Sequence, residues 1–416
     1  KSAGISSDWP YGRGCWQSDD GQCIIWFGEE DQLRIMCMKK GTKLNEVFDR
    51  LHKMLQVVES IDGIEFARSD KYGYVTSCPT NLGTGMRASV HIKIPNLTSD
   101  GTDKKAKAVC KPLGLSVRGT GGEHTPIGAD GTVDISPRAR LFIKERDIVA
   151  ALYKGIQLLM VEEQKAGAGG ADAGHSESKG VEPGQELARI AEIKKSHPDN
   201  LAMKYFDADY FNSLDADKQA ALLRCVRTGF ENEDSGMGCY AMTPNDYETF
   251  NPFFDPVIRD YHGASADAVH ETDWDISAVG EGGVLDVTKL GLSELSMRVR
   301  VGRNLQQFNL PGAMDRAERI EFEKTIVKAF AALQANEEYG GKVYSLSPDL
   351  GEGVENPNLI SSEKYDELVK AHVMFKDMDA DPYLKSAGIS SDWPYGRGCW
   401  QSDDGQCIIW FGEEDQ

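Results

Sequence analysis

The sequence predicts an α+β protein, and three observations carry that reading. Short runs rich in β-branched, aromatic and apolar residues read as strands. Longer segments place apolar residues at helical spacing. The two kinds do not alternate regularly, as a doubly wound parallel sheet would require. Residues 183–275 read as helical almost throughout, so a small helical domain is expected beside a mixed one.

Taken in chain order, strands are expected at Cys23–Phe27, Leu33–Met38, Tyr72–Ser77, Ala88–Ile94 and Leu115–Val117. Leu44, Val47, Phe48, Leu51, Met54, Leu55 and Val58 recur on one helical face, as do Ile148, Leu152, Ile156 and Leu159. The Gly/Ala/Ser-rich stretch within 166–182 lacks apolar periodicity and reads as a flexible linker. Leu187–Lys195 and Ala216–Phe230 are helical in pattern. From Trp274 the mixed character returns, with a strand at Ser296–Val301 and helices at Ala317–Gln334 and Glu363–Phe375. The expected order is therefore part of a mixed domain (1–165), linker (166–182), helical domain (183–275) and the rest of the mixed domain (276–416).

Residues 385–416 repeat residues 1–32 without a change, which sets a period of 384 residues. The formal charge is −20 for all 416 residues, and one period carries 44 basic against 60 acidic side chains, or −16. An acidic chain of this kind is a poor general nucleic-acid binder, because such binding draws on a net basic face. No apolar run approaches the roughly 20 residues of a membrane span. Seven distinct cysteine positions, once the repeat is discounted, show no CxxC spacing. Thiols in a reducing compartment are expected rather than a disulfide framework or a zinc site, and the cytoplasm is the expected location.

Several familiar signatures are lacking. There is no GxxxxGK[ST] phosphate loop. His270-Glu271 has no second histidine at zincin spacing, and Asp377, Asp379 and Asp381 are followed by Pro382 where a calcium loop needs glycine. What remains is a set of arginines in strand contexts. Alternation puts Ser296, Arg298 and Arg300 on one strand face. Arg34 follows Leu33 in another strand, while Arg87 and Arg118 border the glycine-rich turns Cys78–Gly85 and Arg118–Thr125. Arginine forks suit phosphate oxygens, though such residues also serve as solvated salt-bridge partners. Glu30 and Glu123 lie at strand ends or in these loops, where paired carboxylates could grip a cation or take its proton, or simply be solvated.

The runs CPTNLGTGMRASVHIK (Cys78–Lys93), RGTGGEHT (Arg118–Thr125), WFGEEDQLR (Trp26–Arg34), SMRVRVGR (Ser296–Arg303) and DSGMGCY (Asp234–Tyr240) together resemble the phosphagen (ATP:guanidino) kinases, and the arginine kinases most. The resemblance covers nearly everything except the linker. It implies a small all-helical domain plus a larger catalytic domain of the glutamine-synthetase type, with an antiparallel sheet flanked by helices. It implies reversible transfer of the γ-phosphoryl group from MgATP to a guanidino substrate, with Mg²⁺ held mainly by nucleotide and water rather than by protein ligands. On this resemblance Ser296, Arg298, Arg300, Arg34, Arg87, Arg118, Gly119, Thr120, Gly121, Gly122, Asp134 and His372 form the nucleotide set. Ser235, Gly236, Met237 and Tyr240 form the substrate-selecting loop. Cys78, Glu30 and Glu123 hold the guanidinium, with Glu414 the duplicate of Glu30 and Cys78 a thiolate of depressed pKa. Either glutamate could accept the proton.

The chain departs from the family pattern at Gln32 and Gln17, where many relatives have histidine. It also departs at Lys370-Ala371-His372 and at Pro382, where arginine kinases often carry an arginine able to pair with the Asp234 position. Creatine kinases have an apolar residue at the Glu123 position, so the resemblance favours L-arginine as acceptor. Taurocyamine and related guanidines, or a noncatalytic structural repeat of the kinase fold, are the alternatives. Relative to the family the chain starts mid-unit: 183–275 match its beginning, 276–416 continue, and 33–165 match its end. A window on tandem kinase units in one polypeptide is expected in preference to a circular permutant. One period should pack into one complete unit, with one repeat copy in its sheet.

Overall fold

The computed structural model describes residues 14–17, 23–27, 31–99, 101–119, 127–128, 130–165, 186–335, 339, 342–351 and 353–370. The expected linker, the trailing copy of the repeat, and Glu30, Thr120, Gly121, Gly122, Glu123, His372 and Glu414 lie outside these residues.

The described chain is α+β. Eight strands form one antiparallel sheet: β1 (Gly14–Gln17), β2 (Cys23–Phe27), β3 (Leu33–Gly41), β6 (Met86–Lys93), β7 (Leu115–Arg118), β8 (Thr132–Pro137), β9 (Leu295–Arg303) and β10 (Lys342–Ser345). Their order across the sheet is β10-β1-β2-β3-β9-β6-β8-β7. Two-residue strands β4 (Arg68–Ser69) and β5 (Gly73–Tyr74) pair separately. At the centre of the large sheet β9, from the far end of the chain, lies between β3 and β6. The leading copy of the repeat supplies β1 and β2, which join β10 to β3.

One face of the sheet is apolar because the sequence alternates. Leu33, Ile35 and Cys37 of β3, Met86, Ala88 and Val90 of β6, and Met297, Val299 and Val301 of β9 are buried together. Three helices cover this face: α1 (Leu44–Glu59), α3 (Glu145–Lys165) and α10 (Arg316–Gln334). The short α2 (Lys104–Cys110) flanks β7, and α11 (Ser362–Lys370) follows β10 in sequence. The other region comprises α4 (Glu186–Ser196), α5 (Leu201–Tyr205), α6 (Ala208–Ser213), α7 (Ala216–Glu231), α8 (Asp246–Thr249) and α9 (Asn251–His262). Asn200, Asp207 and Asp215 cap α5, α6 and α7 with side-chain oxygens, which is why these helices start where they do. A second apolar core unites these helices with Tyr72, Val75, Cys78 and Leu82.

The strand expected at Tyr72–Ser77 is not formed beyond Gly73–Tyr74. The composition suits a strand, but the carbonyls of Thr76 and Ser77 bond instead to Tyr247 Oη, and that of Ser77 also to the Ala241 N–H of the helical region. A tertiary partner thus replaces a strand neighbour.

Candidate functional site

The polar face of the sheet collects the arginines. In β9, Ser296, Arg298 and Arg300 point away from the apolar core that their neighbours enter. Antiparallel register then aligns partners on this same face. Arg300 pairs with Met36 on one side and with Arg87 on the other. Ser296, His91, Asp134 and Arg118 form a row across four successive strands, β9, β6, β8 and β7. Arg34 enters from β3 opposite Gly302.

Asp134, 3% exposed, organises this face. Arg87 Nη2 donates to its Oδ1 at 2.7 Å, and Arg87 Nε donates to Ser136 Oγ at 3.1 Å. His91 Nε2 and Arg298 Nη2 stand 3.5 and 3.7 Å from Oδ2. Burial alone would raise this carboxyl, but Arg87, His91 and Arg298 hold it well below the usual carboxylate range. Arg300 shows the converse: burial, then Arg34, Arg298, Arg87 and Arg140, drive its guanidinium well below its ordinary value. Since arginine keeps its proton in proteins, that direction reports the cost of burying this guanidinium, added to by the cations around it. A polyanion on this face would relieve it.

Cys78 is 1% exposed and precedes the short turn Pro79–Asn81, with its sulfur 3.1 Å from Thr80 Oγ1. The preceding residue is fixed from two sides. Ser77 N–H donates to Asp31 Oδ1 at 2.8 Å, and Ser77 O accepts from the Ala241 N–H at 2.7 Å. Asp31 also accepts from Asn304 Nδ2 at 2.8 Å. Burial raises the Asp31 carboxyl, opposed by the Ser77 N–H, Asn304 and Arg34. Gly302 makes room for it, since a Cβ there would come within 2.7 Å of Asp31 Oδ2. Next to it Gln32 is fully buried, bonded to Asn304 Oδ1, Asn309 O and the Leu305 N–H at 2.8 Å each. The glutamine side chain thus donates to one backbone group and accepts from another.

The loop 234–240 closes on the helical region. Leu201 N–H and Ala202 N–H donate to Gly236 O and Met237 O at 3.0 and 3.1 Å, and Gly238 takes a φ of +71°. Ser235, Met237 and Tyr240 are buried and Gly236 is exposed. The loop leads directly into Ala241, so the substrate-loop candidates and Cys78 are joined through one backbone hydrogen bond. Of the other candidates, Gly119 is buried at the end of β7.

Family models match over most of the chain. The ATP:guanido phosphotransferase C-terminal catalytic domain matches residues 2–166 and 321–416, and the N-terminal domain of the same family matches residues 196–259. The chain belongs to the ATP:guanido phosphotransferase, or phosphagen kinase, family. It is 34% identical over 422 residues to an arginine kinase of Anthopleura japonica, covering all of this chain and 54% of that protein. It is 33% identical to a taurocyamine kinase of Schistosoma mansoni, covering all of this chain and 53% of that protein. A flagellar creatine kinase of Strongylocentrotus purpuratus is also 33% identical, with 34% of that protein covered. The chain therefore spans about half the length, or less, of the curated relatives it matches end to end. Among solved structures it is similar to a lombricine kinase (39% identity, 38% of this chain and 43% of that one, TM-score 0.35). It is also similar to the duplicated taurocyamine kinase from Schistosoma mansoni with bound transition state analog components (29% identity, 94% of this chain and 52% of that one, TM-score 0.34).

In this phosphagen kinase chain four polar residues of the site had no place in the sequence reading. Asp31 fixes the Cys78 loop, and His91 adjoins Asp134. Arg140, 7% exposed, lies among Arg87, Arg118, Tyr261 and Cys78; burial and the two arginines push its guanidinium down to about 10. Ser136 seats Arg87. Only His91 carried a local signal, as a site-face position of a recognisable alternating strand. The other three depend on contacts between segments distant in sequence.

Proposed function

We propose that this chain transfers the γ-phosphoryl group of MgATP reversibly to a guanidino nitrogen, with L-arginine as acceptor, giving phosphoarginine and ADP. The observation that carries the reading is the crowding of Arg34, Arg87, Arg298 and Arg300 on one sheet face beside Asp134. Family membership supports the reaction class, while the relatives named for arginine, creatine and taurocyamine lie at nearly equal identity. Arginine rests on the short DSGMGCY loop and on Glu123.

Phosphoryl transfer needs little covalent help, so alignment and charge neutralisation supply most of the acceleration. The arginines would take the phosphate oxygens in bidentate fashion, and the Mg²⁺ entering with the nucleotide would share in neutralising them. Ser296, His91 and Asp134, in one row, would hold the nucleoside end. Cys78, Glu30 and Glu123 would orient the guanidinium so that one nitrogen attacks in line, and a glutamate would receive its proton. The helical region 183–275 would select the acceptor. The repeat supports a neighbouring kinase unit as a partner in the same polypeptide, and the thiols Cys37, Cys78, Cys110, Cys225 and Cys239 support a cytoplasmic setting. No helix among the described residues is long and apolar enough to cross a membrane.

A coupled ADP-release assay with arginine, taurocyamine and creatine tests this. Turnover is expected with arginine in excess of the others, and greatly reduced in Glu123→Gln and Cys78→Ala. No turnover with any guanidine would refute the enzyme reading. A preference for taurocyamine would replace the acceptor and leave the reaction intact.

A further inference from the structure

The backbone around Cys78 is held largely from outside its own segment. Thr76 O accepts from Tyr247 Oη at 2.8 Å, and Ser77 O from the Ala241 N–H at 2.7 Å. Cys78 O is kept within the turn, accepting from Thr76 Oγ1 at 2.9 Å and from the Asn81 N–H at 3.1 Å. Residue 79 is a proline and lacks an N–H, so its carbonyl is the backbone group left for bonding. That carbonyl lies 2.9 Å from His262 Nε2, 183 residues further along the chain. A carbonyl oxygen only accepts, so Nε2 carries the proton and the imidazole donates.

The helix behind this donor explains why it stays there. His262 is the last residue of α9, and Phe254, Ile258 and His262 recur every four residues along one side of it. Phe254 and Ile258 are fully buried in the second apolar core, which sets the rotation of the helix and turns His262 toward the Cys78 turn. Gly263 closes α9 in a left-handed conformation, with its N–H on Arg259 O. The imidazole also meets the Tyr261 ring edge-on, with centroids 4.9 Å apart. Burial lowers this imidazole from 6.5 to about 4, with the Pro79 carbonyl opposing the shift and Arg140 adding to it. At neutral pH the ring is therefore uncharged, and its grip on Pro79 adds no cation beside Arg140.

We propose that His262 is a positioning residue: by donating to the Pro79 carbonyl it pins the turn that carries Cys78 to the helical region, so that the thiol is placed by the same region that bears the loop 234–240. The proposal deepens the kinase reading and rests on it for the role of the thiol. The anchoring itself is a property of the fold, so the two fail separately.

Iodoacetamide alkylation of the full chain, followed thiol by thiol by peptide mass spectrometry, reads the anchor without requiring turnover. A buried thiol reacts through local opening, so its rate reports how firmly its own segment is held. His262→Phe keeps a ring and loses the donor. In that variant Cys78 should react about fivefold faster or more, while Cys225 and Cys239, buried in the same core, change less than about twofold. His262→Gln returns an N–H donor and should restore most of the protection. In the same preparations kcat with arginine should fall by about tenfold in His262→Phe, with KM for MgATP held, because the nucleotide arginines are untouched. An unchanged Cys78 rate in His262→Phe would overturn the proposal. So would equal acceleration of Cys78, Cys225 and Cys239, which would mean a general loosening of the core, or a failure of His262→Gln to protect. Wild-type chain that turns over no guanidine would refute the kinase reading alone and leave the alkylation pattern to decide the anchor.

Discussion

Asp134 and Arg87, on neighbouring strands of the polar sheet face, form a 2.7 Å ion pair with both side chains almost fully buried. Breaking such a pair from one side leaves an uncompensated buried cation. Asp134→Asn should therefore lower the unfolding free energy by about 3 kcal/mol at neutral pH, read from urea denaturation. The folded carboxyl value is depressed, so this stabilisation is complete above the unfolded value of 3.8 and is lost as pH falls below it. Wild type and variant should converge in strong acid. A constant gap down to pH 2 would mean the pair is not the origin of the difference.

His270 is 8% exposed, and its Nδ1 accepts the Phe142 N–H at 3.2 Å, so the ring is neutral in the fold. Phe142 itself sits at a φ of +58°, just after Arg140 and Leu141, so this bond steadies a strained turn beside the site. Burial, with Arg303 nearby, lowers the imidazole from 6.5 to about 4. The unfolded chain takes up this proton first, so stability is full above about pH 6.5 and declines as pH falls toward 4. The loss should reach about 3 kcal/mol at most. His270→Gln should flatten the stability profile across this window; an unchanged slope would assign it elsewhere.

Arg300 is crowded by Arg34, Arg298, Arg87 and Arg140. Arg300→Met should raise the thermal stability of the ligand-free protein slightly, by about 1 kcal/mol. The same change should cut kcat by about a hundredfold or more and weaken MgADP binding. Scanning calorimetry and steady-state kinetics on one preparation would read both. A variant that loses stability and activity together would show that Arg300 is structural.

Tyr247 Oη donates to Thr76 O at 2.8 Å and lies 3.2 Å from Ser77 O, next to Cys78. Tyr247→Phe takes the hydroxyl donor from the Thr76 carbonyl, while Ser77 O keeps the Ala241 N–H, and should cost about 1–2 kcal/mol. With the thiol less firmly placed, kcat should fall by about tenfold, because small misplacements in an aligned reaction are costly. KM for MgATP should hold, since the arginine rows are untouched. Equal changes in both parameters would mean that the whole site has shifted.

The strand bearing Ser296, Arg298 and Arg300 was legible because alternation is a local property: a core face of Met297, Val299 and Val301 dictates what the other face shows. The α1 and α7 helices were legible for the same reason, through 3.6-residue spacing. By contrast, α2 is lysine-rich and short, so its two inward residues, Ala106 and Cys110, leave no period to read. β8 was missed because Thr132–Pro137 ends in proline and follows a turn, yet it supplies the central carboxylate, Asp134. Asp31 and Arg140 act through partners distant in sequence, such as Asn304 for Asp31, and single-sequence patterns hold no record of such meetings.

The central pairing of β3 with β9 joins Leu33 to Arg303 and Gly41 to Leu295. Strand β3 therefore stands without this neighbour while more than 250 residues of intervening chain are synthesised. Sheets closed by such distant partners form slowly, since loop closure precedes any gain from contact. Until β9 arrives, β3 and β6 present open hydrogen-bonding edges flanked by apolar side chains. The vulnerable moment for this protein is thus its birth rather than its working life, and holdase chaperones should matter most for the half-sheet that waits.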